Sequence, residues 1–190
     1  WLPTLGELDT YLITEGRHEK LWNVLGAHQK SFTTSHGEVI GTAFAVWAPN
    51  AQCVRLISDH NNWNGVEHPM RSLGASGIWE LFVPGLAQWT RYRYSIKGAD
   101  GQWRDHADPM AQHTQTPPEN ASVVFHSDYN WNDKSWMEVR STFQPWKAPI
   151  SIYEVHLGSW RPGLSYRQLA DELTHYLKET GFTHVEFLPV

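Results

Sequence analysis

The chain has 190 residues, 41% hydrophobic and 18% charged, a composition that folds and excludes a disordered polymer. A net charge of -5 leaves no basic stripe for nucleic acid or an anionic membrane surface, and no apolar run approaches the ~20 residues of a membrane span. The single cysteine, Cys53, excludes an internal disulfide, and the opening W-L-P-T-L-G-E lacks a secretory pattern, so a reducing, cytoplasmic setting is expected.

In chain order, residues 1–26 read as a lead-in segment. Asp9–Thr14 and His18–Leu25 suggest two short helices separated by Glu15-Gly16, the second with Leu21, Trp22 and Leu25 on one face. The start at Trp1 without a methionine suggests an internal fragment or a trimmed chain.

Residues 27–130 read as β-structure. Thr42–Ala48 places Phe44, Val46 and Ala48 on one face before Pro49-Asn50 ends it, and Val54–Ile57 follows, with Cys53 expected to be a small buried hydrophobe. Asp59-His60-Asn61-Asn62-Trp63-Asn64-Gly65 is a turn-rich loop with one tryptophan on it. Gly77–Val83 alternates and stops at Pro84-Gly85. Arg91, Arg93 and Ser95 alternate with Tyr92, Tyr94 and Ile96, the mark of a half-buried strand. Ala99-Asp100-Gly101 is a hairpin turn leading to Trp103, and Ser122–Phe125 is the last short strand. Short strands at regular spacing with Gly/Pro turns predict a small β-sandwich. The Asn120-Ala121-Ser122 sequon is read as chance.

From residue 126 the chain turns polar and proline-containing, and 131–149 is expected to be a linker that packs through Trp131, Trp136 and Trp146. At 150–190 the pattern changes. Ser151–Trp160 (S-I-Y-E-V-H-L-G-S-W) opens with a strand and breaks at Gly158. Ser165 with Gln168 makes a capping box. Leu169, Leu173 and Leu177 form a helical stripe that Gly181 ends, and Thr183–Leu188 is a further strand. Strand, helix and strand predict two parallel strands joined by a crossover. Such strands are covered on both faces in a finished sheet, so the segment reads as the opening of an α/β domain.

Eleven tryptophans stand beside 7 Tyr and 7 Phe. An indole can fill a core, or it can lie flat against the C–H face of a sugar ring through dispersion. Trp63 and Trp103 are the two in polar turn contexts, where both uses stay open.

Y-E-V-H-L-G-S-W at Tyr153–Trp160 resembles the first barrel strand of glycogen branching enzymes, in the α-amylase superfamily, and Gly181–Val190 resembles their second. Phe44–Ala51, Asn61-Asn62-Trp63, Gly77–Phe82 and Ala107-Asp108-Pro109 resemble the glycogen-binding module that precedes the barrel. The resemblance implies a mainly β fold: an immunoglobulin-like sandwich that binds glucan, then the strand-helix-strand start of a (β/α)8 barrel truncated at 190. It also implies that α-1,4-glucan (glycogen, amylose or malto-oligosaccharide) is the partner, with no cofactor, and that the segment packs on the rest of its own barrel; the histidines are scattered without metal-ligand spacing, so no metal is expected. The related module in the β-subunit of AMP-activated kinase holds glucan with two tryptophans and a lysine. By match these fall on Trp63, Trp103 and Arg93, with arginine in the lysine's place and His60 where a phenylalanine is usual.

The implied chemistry cuts α-1,4-glucan and re-attaches it as α-1,6 branches by retaining double displacement, with two carboxyl groups ~5–5.5 Å apart. In this superfamily those groups follow barrel strands four, five and seven, so the resemblance implies no catalytic residue within the chain. Glu154 and Glu186 are read as structural polar groups of the barrel. Active centres in such barrels sit at the C-terminal ends of the strands. Two other readings are a debranching or trehalose-forming hydrolase with a similar module, and a free-standing glucan-binding module.

Overall fold

The computed structural model describes residues 3–189; Trp1, Leu2 and Val190, the outer ends of the lead-in segment and of the second barrel-like strand, lie outside the described residues. The chain forms two compact units, Trp1–Asp128 and Tyr129–Val190.

The first unit begins with helix α1 (Glu7–Thr14) and a 3-10 turn at Leu21–Asn23. Eight strands follow: β1 (Gly26–Thr34), β2 (Gly37–Trp47), β3 (Cys53–Ser58), β4 (Arg71–Ser72), β5 (Ile78–Pro84), β6 (Arg91–Lys97), β7 (Trp103–His106) and β8 (Ser122–Val123). They make two antiparallel sheets, one ordered β1-β2-β5-β4 and the other β3-β6-β7 with β8 beside β6. The two sheets bury Phe44, Val46, Val54, Leu56, Tyr92 and Tyr94 in one core, where Tyr92 meets Phe44 and Tyr94 edge-on.

β2 is apolar on both faces, because Ala43 and Ala45 are buried as well. Ala45 joins Leu5, Leu25 and Ile78 in a second cluster, against which Ile13, Leu21 and Val24 pack. The lead-in segment thus covers the outer face of the first sheet. That is why Thr42–Ala48 reads as nearly continuous apolar sequence instead of a clean alternation.

The lead-in segment departs from the two expected helices. Only α1 is a full helix, without a side-chain cap at Gly6, and the second is a single turn. Trp22 points outward at 52% exposure and does not share a face with Leu21 and Leu25. What anchors the segment is polar. Glu80 is 1% exposed and accepts from Thr4 N and Oγ1, both at 2.7 Å, and from Arg71. Burial alone would raise its pKa, but the hydrogen bonds from Thr4 and Arg71 outweigh it and hold the carboxyl below its ordinary value. Cys53 is half-buried, a shallower position than expected, since it starts β3 on the outward-facing side.

In the second unit, Trp131, Trp136 and Trp146 are 77%, 56% and 76% exposed, so the expected packing of the linker through its indoles is not found. The segment contains helix α2 (Lys134–Arg140) and a 3-10 turn at Pro145–Lys147 instead. Beyond it β9 (Ile152–Val155) and β10 (His184–Phe187) pair in parallel. Between them come the single turn α3 (Leu157–Trp160) and helix α4 (Tyr166–Thr180). α4 starts on the expected Ser165/Gln168 capping box and ends at Gly181, whose φ of 77° is the left-handed conformation glycine adopts without cost. Leu169 and Leu173 are buried, while Ile152, Val185 and Phe187 stay exposed.

Candidate functional site

The expected site residues gather on the outer face of the β3-β6-β7 sheet. Tyr92 and Tyr94 point into the core, so Arg91, Arg93, Ser95 and Lys97 point out. Register puts Arg93 opposite Ile57, Ser95 opposite Arg55 and Asp105, and Lys97 opposite Trp103. Trp103 and Arg93 therefore lie on one face, separated by four residues of β6, or about 13 Å along the strand.

Trp63 reaches this face from the loop after β3, and the N-N-W sequence accounts for how it is held. Asn61, 9% exposed, accepts from Ser58 N at 2.8 Å and donates from its amide to Leu56 O at 2.9 Å and to His68 Nδ1 at 2.8 Å. That side chain ties the end of β3 to the turn. Asn62 and Trp63 both take left-handed φ, 52° and 60°. Asparagine tolerates this conformation; tryptophan adopts it at a cost of about 1–3 kcal/mol. The Trp63 N–H is secured on Ser58 O at 2.9 Å. Asn64 Oδ1 accepts from Val66 N and caps the short turn Gly65–Glu67. Gly65 packs so tightly on this sheet that a Cβ there would come within 2.8 Å of Arg55 Cβ.

Asp59, in the loop that carries Trp63, is paired with Arg91. Asp59 receives Arg91 Nε at 2.8 Å, Nη2 at 2.9 Å and the Arg91 backbone N–H at 3.0 Å. The Arg91 side chain, aided by the Arg91 backbone N–H, holds the Asp59 carboxyl below its ordinary value against the effect of burial. Arg93 stands with its guanidinium 5.9 Å from the Trp63 ring centroid and donates to Asn120 Oδ1. Asn120 is thus part of the Arg93 surroundings. Burial pushes the His68 ring down from its ordinary value and the nearby His60 adds to this, so His68 is neutral near pH 7 and its Nδ1 can accept from Asn61.

Trp103 follows the Ala99-Asp100-Gly101 turn, which closes as expected between β6 and β7. Asp100 takes both Arg104 guanidinium nitrogens, at 3.1 and 2.7 Å, and the Gln102 N–H. These bonds, the one from Arg104 first, hold its carboxyl down at about 2. Arg55 lies over the Trp103 ring at 4.3 Å. Trp63 and Trp103 are each 39% exposed. The face thus offers two part-exposed indoles with guanidinium groups between them, suited to stacking on sugar rings and to donating hydrogen bonds to hydroxyl oxygens.

Sequence reasoning gave no site role to Arg55, Asp59 or Asn120, and named Asn61 only as part of the N-N-W motif. The alternation Cys53, Arg55, Ile57 does mark Arg55 as outward. Which strand it lies beside depends on the β3–β6 pairing, which no local signal gives. Two concavities of this unit lie elsewhere. One of about 330 Å³ is lined by Phe32, Arg71 and Phe82 among others, and one of about 520 Å³ by Ile13, His18, Trp47, Asp108 and Met110. Asp108, of the Ala107-Asp108-Pro109 motif, is 6% exposed and accepts from Tyr92 Oη at 2.6 Å and Tyr94 Oη at 3.1 Å, a structural role. Its burial outweighs those bonds and raises its pKa.

In the second unit Glu154 and Glu186 are register partners on β9 and β10, both exposed. Among the described residues no group of three or more His, Cys, Asp and Glu could hold a metal ion, and no helix is long and apolar enough to cross a membrane.

Residues 24–111 match Carbohydrate-binding module 48 (Isoamylase N-terminal domain). The whole chain is 58% identical to the 1,4-alpha-glucan branching enzyme GlgB of Nocardia farcinica over 190 residues, 26% of that enzyme's length. It is 64% identical to the one of Thermobifida fusca over 189 residues, 25% of that length. The chain therefore spans about a quarter of the curated relatives it matches, their N-terminal part. Apo pullulanase from Klebsiella pneumoniae shares the fold, with a TM-score of 0.60 at 23% identity over 87% of this chain and 20% of that one.

Proposed function

We propose that this chain, similar from end to end to the N-terminal part of 1,4-α-glucan branching enzymes, is the glucan-holding front of such an enzyme. The intact protein would cut α-1,4-glucan and re-attach the cut piece as an α-1,6 branch, in the cytoplasm, as part of glycogen biosynthesis. The observation that carries this is end-to-end identity of 58–64% to enzymes of that name, on a chain whose first unit matches a carbohydrate-binding module.

Within that reading, residues 27–130 are the sandwich module, 131–149 the linker and 150–190 the first strand, helix and strand of the (β/α)8 barrel. The exposed apolar side chains of β9 and β10 support the last assignment, since parallel strands are buried on both faces once a sheet is complete. Trp63, Arg93 and Trp103 are the glucan-binding residues. The indoles stack on glucose rings, and Arg93, steadied by Asn120, donates to hydroxyls. Glu154 and Glu186 take no part in the chemistry. The retaining displacement needs two carboxyl groups ~5–5.5 Å apart, which the missing strands of the barrel would supply.

The test uses amylose. The intact protein is expected to lower iodine staining without releasing reducing sugar, and the 190-residue chain to do neither. Release of reducing sugar by the intact protein would favour a hydrolase of the same superfamily. Turnover by the 190-residue chain would contradict the absence of catalytic groups from it.

A further inference from the structure

Trp89 lies outside the face described above. At 60% it is the most exposed tryptophan of the first unit among the described residues. Its φ is 71°, the left-handed conformation that a large side chain avoids. The strained backbone is nevertheless fixed: Trp89 N–H donates to Val124 O at 2.8 Å, Val124 N–H to Thr90 O at 2.9 Å, and Thr90 Oγ1 to Ala87 O at 2.8 Å. Val124 is itself 1% exposed, so the segment is anchored to the core.

The indole is held from the side. His113 and Phe125 approach at 5.5 and 5.3 Å between centroids, at 88° and 61° between planes, and neither ring lies parallel over it. Edge contacts of this kind immobilise an aromatic without stacking on it. Trp103, by contrast, has one face covered by the Arg55 guanidinium. Around Trp89 stand the exposed His113 and His126 and the half-buried Gln88, all able to hydrogen-bond hydroxyls. Trp89 also belongs to the same end of the sheet as Trp63. It precedes Arg91 by two residues, Arg91 is bonded to Asp59 in the loop that carries Trp63, and the end of β3 at Ser58 pairs with Tyr92 at the start of β6. A rigid, exposed, strained indole with polar neighbours, beside a candidate sugar site, is the pattern of a ligand platform.

We propose that Trp89, braced by His113 and Phe125, is a second stacking platform for the same α-1,4-glucan, extending the face beyond Trp63. This rests on the glucan-binding reading above. The 190-residue chain is titrated with maltoheptaose and run through native gels containing glycogen, as wild type, Trp89→Ala, Trp89→Tyr and Trp63→Ala. Trp89→Ala is expected to weaken binding roughly three- to tenfold, and Trp89→Tyr to retain most of it. In wild type, the indole Nε1–H resonance of Trp89, assigned by its loss in Trp89→Tyr, is expected to shift on adding maltoheptaose, a readout that does not depend on how Trp89→Ala folds.

An unmoved resonance, or unchanged affinity in a folded Trp89→Ala, overturns the proposal. If Trp63→Ala alone weakens binding, the Trp89 platform falls and the Trp63 site stands. If Trp89→Ala alone weakens it, the reverse holds. A wild-type chain that binds no glucan overturns both.

Discussion

Asn61 satisfies the end of β3, the start of the turn and the His68 ring with one carboxamide, and Trp63 depends on all three. The bond to His68 requires an unprotonated Nδ1. Because the folded-state pKa of His68 lies below its ordinary 6.5, the stability tied to it is fully present above 6.5 and is lost as pH falls through the folded value. Stability is therefore expected to decline on acidification below pH 6.5 more steeply in wild type than in His68→Gln, which keeps an acceptor and cannot titrate. Thermal unfolding over that range measures the difference. It is expected to be about 0.5 to 1 kcal/mol, because the ring is partly solvated and one hydrogen bond is at stake. Parallel slopes in the two proteins would show that the Asn61–His68 bond carries nothing.

Among the elements, α4 was the most legible in the sequence. Its capping box, leucine stripe and terminal glycine all lie within one turn of where they act, so local chemistry defines the helix. Ser165→Ala is expected to cost about 1 kcal/mol, seen as an earlier loss of helical circular dichroism in urea. A midpoint unchanged from wild type would show that the cap is idle.

Strand β6 was legible for the same reason, since Tyr92 and Tyr94 alternate with outward residues, and β2 was legible as an apolar run ended by Pro49-Asn50. The lead-in segment was not, because its order comes from Thr4 meeting Glu80, 76 residues away. The exposure of the indoles of 131–149 is not legible either, because composition records that a tryptophan is present but not what covers it. At the candidate site the turn contexts singled out Trp63 and Trp103 without deciding their use, and the resemblance to the glycogen-binding module made them, with Arg93, site candidates. Arg55 and Asn120 were not found, because strand pairing and a later loop bring them there.

At the scale of the whole molecule, the two units do different things. The first presents a finished sandwich with indoles and guanidinium groups on one sheet face. The second is a capped helix and two parallel strands with apolar side chains still exposed. That combination supports the proposed reading, in which the first unit is the part that holds glucan. The central claim, that the outer face of the β3-β6-β7 sheet holds α-1,4-glucan through Trp63, is tested most directly by isothermal titration of the 190-residue chain with maltoheptaose, wild type against Trp63→Ala. Saturable binding that weakens roughly tenfold in the variant, with circular dichroism unchanged, is the expected result. Identical titrations of two folded proteins, or no binding by wild type, would contradict it.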